Sequence, residues 1–240
     1  MDAEKTSLLL VDKNSNYLLS MGMLLRRLDF TVQSSQTAEA ALKTLVEYPC
    51  SLVLTDTSLP GMCGIDLLKV MKQDPRLKAT PVIIHTSEFD STLEQRCFSE
   101  GCSAFFRRPI EPNTLYRSIQ TAVRTTPRRH IRIGTVLPVQ IGDNADTIEH
   151  LTTLSEQGCY IQTQTPLPLR SEVLLTVHIR GAKIKTKAVV LYTSTQQEIG
   201  QTKQGMGMKF VNISREGWTI IDTFIQDQLA RNLPYRDMVV

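Results

Sequence analysis

No apolar run in this 240-residue chain approaches the roughly 20 residues that a membrane-spanning helix needs. Met1-Asp2-Ala3-Glu4-Lys5 leads directly into a strand-length run, which is not the build of a signal peptide. Cysteine is sparse and unpatterned. Cys50, Cys63, Cys97, Cys102 and Cys159 are odd in number and never stand in Cys-x-x-Cys spacing, which argues for reduced thiols in a cytoplasm and against a zinc site. The four histidines (His85, His130, His150, His178) show neither metal spacing nor a paired nucleophile, so no enzyme chemistry is expected of them. A strong charge bias is missing too: the net charge is +3, too small for a bulk electrostatic case for nucleic acid. What remains is ordinary globular composition, 41% hydrophobic and 21% charged, in a length that suits two domains of roughly 100–150 residues.

The chain changes its period in the middle. Before Arg124 four short runs are continuously apolar: Leu8 to Val11, Leu52 to Leu54, Val82 to Ile84 and Ala104 to Phe106. Strands without polar alternation are buried on both faces, which means a parallel sheet covered by helices. Helical spacing recurs between the strands, at Leu18, Met21, Leu25 and Leu28 and at Leu115, Ile119, Ala122 and Val123. Thr37 opens a helix carrying Ala38, Ala41, Leu42 and Leu45. Ser91-x-x-Glu94 reads as a capping box opening another, with Gly101 to stop it. The expected fold is a doubly wound, five-stranded parallel sheet, whose functional groups belong at the carboxyl ends of the strands. Those ends carry Asp12, Asp56, Thr86 and Arg108-Pro109.

Here the chain resembles a response-regulator receiver domain, over about residues 5–124. Asp56-Thr57-Ser58-Leu59-Pro60-Gly61-Met62-Cys63-Gly64 is similar to that family's phosphoacceptor loop, with Asp56 as the acceptor. Pro81 to Ser87 resembles the strand that ends in its hydroxyl switch residue, here Thr86. Phe105 falls at its switch aromatic, and Arg108-Pro109 at its cis Lys-Pro. Two departures bear on chemistry. Receivers carry two adjacent acids after the first strand, and here they are Asp12 and Lys13. Phosphorylation of an aspartate needs Mg²⁺ held by carboxylates, and Lys13 removes one ligand and adds a cation, so Mg²⁺ at Asp12 and Asp56 is not expected. Arg108 replaces a compact ammonium with a planar fork. The residues therefore favour a pseudo-receiver, with Asp56 ion-paired to Lys13 or Arg108, over a phosphorylatable site.

After Pro127 the period becomes 2. Leu137, Val139 and Ile141 alternate with their neighbours, as do Val173, Leu175, Val177 and Ile179. Ile184, Thr186 and Ala188 alternate with Lys183, Lys185 and Lys187, and Met206, Met208 and Phe210 with Gly205, Gly207 and Lys209. Gly142-Asp143-Asn144 and Thr165-Pro166-Leu167-Pro168 punctuate them. A small antiparallel barrel is expected, closed by one helix that Ser214 caps, with Trp218, Ile221, Ile225 and Leu229 as its apolar stripe and Pro234 past its end. The domain division is thus 1–124 and 125–240.

Arg128-Arg129-His130-Ile131-Arg132 stands at the change of period. Arg128-x-x-x-Arg132, followed by Thr153-x-Ser155-x-x-Gly158, resembles a PilZ domain, a family that binds the bacterial second messenger cyclic di-GMP. The resemblance runs over about residues 125–233. Arginine forks pair bidentately with phosphate or with the O6 and N7 acceptors of guanine. Arg129 adds charge, Ser155 a hydroxyl, and Gly158 room for close backbone approach. The family's acid is Thr153 here. Loss of a charge-assisted hydrogen bond costs roughly 1–3 kcal/mol, or about one to two decades in affinity, so weakened binding is expected. Together the resemblances imply a bacterial cytoplasmic signalling adaptor without catalysis of its own, relaying cyclic di-GMP through protein contacts. Its receiver-like half would regulate or form a homodimer. Partners would be a sensor kinase, or the machinery of motility, surface polysaccharide or secretion, rather than nucleic acid or a membrane. The alternative is a phosphorylatable response regulator whose PilZ domain binds no ligand and serves as an interaction module.

Overall fold

A computed structural model describes residues 6–230, apart from 89, 126, 128–129, 143–147, 195–196, 199–200 and 203, with backbone only at 197–198 and 201–202. The chain divides into two compact units, taken here in turn.

The first unit alternates strand and helix throughout: β1 (Ser7–Val11), α1 (Ser15–Arg27), β2 (Thr31–Ser35), α2 (Ala38–Glu47), β3 (Leu52–Thr55), α3 (Gly64–Gln73), β4 (Val82–Thr86), α4 (Leu93–Ser99), β5 (Ala104–Arg107) and α5 (Pro112–Val123). All strand pairs are parallel, in the order β2-β1-β3-β4-β5. Three of the four continuous apolar runs lie in the inner strands, and Leu8 to Val11, Leu52 to Leu54 and Val82 to Ile84 are buried almost completely, whereas the fourth, Ala104 to Phe106, lies on the edge strand β5 and buries only Phe105. Each such side chain contributes about 1.5–3 kcal/mol of apolar burial. β2 has no such run, because an edge strand buries only Val32 and Ser35 while Thr31, Gln33 and Ser34 face water. Thr37 caps α2 by accepting the Ala40 amide hydrogen, as its position predicts. The capping box at Ser91 does not form. Asp90 accepts both the Thr92 amide and the Thr92 hydroxyl, and α4 starts only at Leu93. Gly101, at φ 89°, ends that helix in the left-handed region that glycine enters without strain.

The second unit is a closed antiparallel barrel. Its strands are β6 (Ile133–Ile141), β7 (Ile148–Ser155), β8 (Gly158–Gln162), β9 (Glu172–Ile179), β10 (Ala182–Ser194) and β13 (Gly205–Asn212), in the order β10-β13-β8-β7-β6-β9. Two short strands, β11 (Gln197–Glu198) and β12 (Gln201–Thr202), pair with each other. Period-2 alternation, broken on β7 by a register shift between Leu151 and Thr153, sends Val139, Leu151, Leu154, Ile161, Leu175, Val177, Val190 and Met206 inward, all completely buried. The final helix, α6 (Arg215–Ala230), is capped by Ser214, whose hydroxyl accepts the Gly217 amide. Its buried stripe is Ile221, Phe224, Ile225 and Leu229. Trp218 does not belong to it, being 42% exposed. Phe224 is the buried aromatic residue of this helix instead, with the Arg180 guanidinium 5.3 Å from its ring centre. Asp143, Asn144 and Pro234 lie outside the described residues.

Candidate functional site

Two sites were expected, one in each unit. In the first, the carboxyl ends of β1, β3, β4 and β5 bring Asp12, Asp56, Thr86 and Arg108 together, as the crossovers of a parallel sheet require. Asp12 is fully buried and Asp56 nearly so. A guanidinium lies between them. Arg108 Nη2 donates to Asp12 Oδ2 and, at 2.8 Å, to the carbonyl of His85, and it lies 3.6 Å from Asp56 Oδ2. The peptide bond that follows, Arg108-Pro109, is cis. Lys13 turns elsewhere: its ammonium donates to Ser58 Oγ at 2.6 Å. Of the two cations expected to pair with Asp56, only Arg108 does so.

The aromatic floor under this arginine has no counterpart in the expected site. Arg108 Cζ stands 3.7 Å above the centre of the Tyr17 ring, within the range of a cation–π contact. Tyr17 in turn meets His85 Nδ1 through its hydroxyl at 2.5 Å. Burial, and then the nearby guanidinium, push the His85 imidazole down to about 3, so it is neutral. For Arg108 burial opposes the charge, but Tyr17, Asp12 and Asp56 outweigh it and hold the guanidinium above its ordinary value. Tyr17 and His85 were missed because aromatic residues at an apolar helix position and in an apolar strand read as core.

The switch hydroxyl is engaged away from Asp56. Thr57 Oγ1 donates to Glu88 Oε2 at 2.7 Å, so the 2.7 Å contact between Thr57 and Thr86 has Thr86 as donor. The Glu88 amide closes the ring by donating to Thr86 Oγ1 at 3.2 Å. Phe105 is buried in the cluster that holds Leu93, Cys97 and Cys102. Gly64 is required by packing, since a Cβ there would lie 1.9 Å from the Asp56 carbonyl oxygen. A Mg²⁺ ion does not fit this pocket. Asp12 Oδ2 accepts Arg108, whose guanidinium also lies 3.6 Å from Asp56 Oδ2, so a cation already stands between the two carboxylates that would hold the ion. Among the described residues no group of three or more His, Cys, Asp or Glu is placed to hold a metal.

In the second unit His130 meets the turn between β7 and β8. His130 Nδ1 lies 3.0 Å from Glu156 Oε2, in the tight turn between β7 and β8. Ile131 and Ile133 are buried on either side of Arg132, which is half-buried. Arg128 and Arg129 lie outside the described residues. Ser155 closes the turn by donating to the Gly158 carbonyl at 3.1 Å. Gly158 is fixed by its own barrel: a Cβ there would come within 2.2 Å of the Met208 carbonyl oxygen. Thr153 and Ser155 both face outward, and each begins a row of neighbours across the outer surface.

One row runs Thr153, Tyr160, Gly207, Tyr192. Glycine leaves a gap there, and the two tyrosine rings close over it with centroids 6.2 Å apart and planes 29° from parallel. A Cβ at Gly207 would lie 2.2 Å from the Tyr192 ring, and one at Gly205 would lie 2.8 Å from the Tyr160 hydroxyl. The other row runs Ser155, Gly158, Lys209 and places an exposed ammonium beside the turn. The strand alternation contains a signal for this. Met206, Met208 and Phe210 face inward, so Gly205, Gly207 and Lys209 must line the outside.

Comparisons with known proteins find two family models along the chain. The response regulator receiver domain matches residues 8–120 and the PilZ domain matches residues 126–227. Two-component response regulator ORR5 of Oryza sativa subsp. japonica is 35% identical over 117 residues, which cover 48% of this chain and 87% of that protein. Two-component response regulator ORR11 of Oryza sativa subsp. indica is 34% identical over 110 residues, 45% of this chain and 75% of that one. A putative response regulator from Chloroflexus aurantiacus J-10-fl, solved as a crystal structure, is 24% identical with a TM-score of 0.48, covering 50% of this chain and 98% of the other. Among the described residues no helix is long and apolar enough to cross a membrane.

Proposed function

The chain belongs to the two-component response-regulator family, a receiver domain followed by a PilZ domain, and on that premise we propose that it is a cyclic di-GMP effector acting through protein contacts. The observation that carries the reading is the His130–Glu156 contact, which brings His130, two residues before Arg132, to the turn flanked by Ser155 and Gly158. Under this reading Arg128, Arg129 and Arg132 take the phosphates or a guanine edge. Ser155 keeps its lone pairs for the ligand while its proton serves the turn. Lys209 adds charge at the near edge. The Tyr160 and Tyr192 rings, one row from Thr153, offer a flat surface to a purine.

Thr153 is a neutral acceptor where a carboxylate would take two guanine N–H groups, so affinity is reduced rather than abolished. The receiver domain, residues 1–124, acts as a regulatory or dimerising module without catalysis of its own, in a bacterial cytoplasm. The proposed protein partners are a sensor kinase or the machinery of motility, polysaccharide or secretion. Calorimetric titration with cyclic di-GMP tests the reading on the natural chain and on Thr153→Asp. The Asp variant is expected to bind about tenfold tighter. No heat from either protein at high micromolar ligand rejects the reading.

A further inference from the structure

The acids of the receiver domain enclose a cation that is part of the chain. Arg108 is held on four sides: by the Asp12 carboxylate, by the His85 carbonyl at 2.8 Å, by Asp56 at 3.6 Å, and from below by the Tyr17 ring at 3.7 Å. Its side chain is 12% exposed, against 0% for Asp12 and 4% for Asp56. The surrounding charges balance locally. Two carboxylates face one guanidinium, and the Lys13 ammonium lies against Ser58, two residues from Asp56. We propose that Arg108 is a built-in substitute for a divalent cation, with Tyr17 and His85 as positioning residues, so that this receiver domain keeps its acid pocket assembled without metal.

Three physical arguments support this. First, a divalent ion entering the pocket would have to displace the guanidinium that stands between Asp12 Oδ2 and Asp56 Oδ2. A small hard cation is held through one or two carboxylates, and these are the groups that Arg108 already occupies. Second, the cradle is shaped for arginine. A guanidinium presents a flat face to Tyr17 and in-plane donors to Asp12 and the His85 carbonyl together, which a tetrahedral ammonium does not match. Third, the floor is itself braced. The Tyr17 hydroxyl meets a buried, neutral His85 at 2.5 Å, and the His85 carbonyl takes the same guanidinium nitrogen that reaches Asp12. Ring, imidazole, carbonyl and carboxylate thus form one connected network around a single charge.

The test uses the full chain and metal alone. Mn²⁺, as a paramagnetic stand-in for Mg²⁺, is titrated while the free-ion resonance is followed, and melting is recorded with and without millimolar Mg²⁺. The natural chain is expected to leave Mn²⁺ free and to melt at the same temperature in both solutions. Lys13→Asp/Arg108→Lys is expected to bind Mn²⁺ at least tenfold more tightly than the natural chain and to gain a Mg²⁺-dependent rise in melting temperature. In a Lys13→Asp background, Tyr17→Leu should strengthen Mn²⁺ binding, whereas Tyr17→Phe, which keeps the ring, should not. Mn²⁺ binding or Mg²⁺ stabilisation in the natural chain overturns the proposal whatever the variants do. So does a folded double variant that remains as indifferent to metal as the natural chain.

Discussion

The two arginine sites of this protein stand in opposite electrostatic circumstances. Arg108 is buried and matched: Asp12, Asp56, a carbonyl and an aromatic face all converge on it. Arg132 is half-buried between Ile131 and Ile133, and its neighbour His130 lies against Glu156. A matched buried charge contributes to structure and has little left for a ligand. An unmatched charge at a surface is where an anion can gain a charge-assisted bond. The proposed roles, architecture for the receiver pocket and recognition for the arginine stretch, rest on this contrast.

The most severe way to break the contrast is to remove the matched cation. Arg108→Ala leaves two buried carboxylates uncompensated, and chemical denaturation should show the receiver domain destabilised by about 3–5 kcal/mol. An unchanged denaturation midpoint would mean that the pocket does not depend on the arginine. Next comes the unmatched site. Arg128→Ala combined with Arg132→Ala should lower cyclic di-GMP affinity by at least about a hundredfold, since each charge-assisted bond contributes about 1.5–3 kcal/mol. The melting temperature is expected to change by far less than in Arg108→Ala, since Arg132 is half-buried rather than enclosed by acids. If the pair costs stability and leaves affinity intact, the assignment of roles is reversed.

Acid titration sharpens the same comparison. His85 remains neutral in the fold down to about 3 but takes a proton near 6.5 once unfolded, so the unfolded state binds more protons between those values. Stability contributed by the network is therefore complete above pH 6.5 and falls as pH drops, by about 2 kcal/mol between pH 7 and pH 5. In His85→Gln that part of the slope should be absent, measured by denaturation at each pH. A slope identical to that of the natural chain would place the acid sensitivity elsewhere. The smallest effect belongs to the tyrosine pair. Tyr192→Leu should weaken cyclic di-GMP binding by about five- to tenfold if the ring stacks on a base, while Tyr192→Phe leaves it unchanged. Equal affinities for Leu and Phe would confine the pair to covering the glycines.

Much of this was legible before any coordinates. Both folds follow from period: continuous apolar runs in the first half and alternation in the second, with turn residues between. The runs failed at β2, because an edge strand is wetted on one side and loses the apolar signature. They also failed at Ser91, where capping depends on which nearby acid reaches the amide first, and Asp90 does so. Asp12, Asp56, Thr86 and Arg108 could be placed at one sheet end because a parallel sheet directs all its strand ends the same way. Which cation Asp56 would face was not decided, since Lys13 and Arg108 are equally charged on paper.

Sequence by itself determined the two domains, the acids and hydroxyl at the receiver's sheet end, and the pairing of an arginine stretch with a Thr-x-Ser-x-x-Gly turn. These are properties of order and spacing along one chain. Only the tertiary structure decided that Arg108 rests on Tyr17, that His85 braces that ring, that Lys13 turns to Ser58, and that Tyr160 and Tyr192 close over Gly207. Each of these joins residues from distant parts of the chain, between 15 and 91 positions apart. Direction and reach of a side chain are set by what packs around it, and no local pattern carries that information.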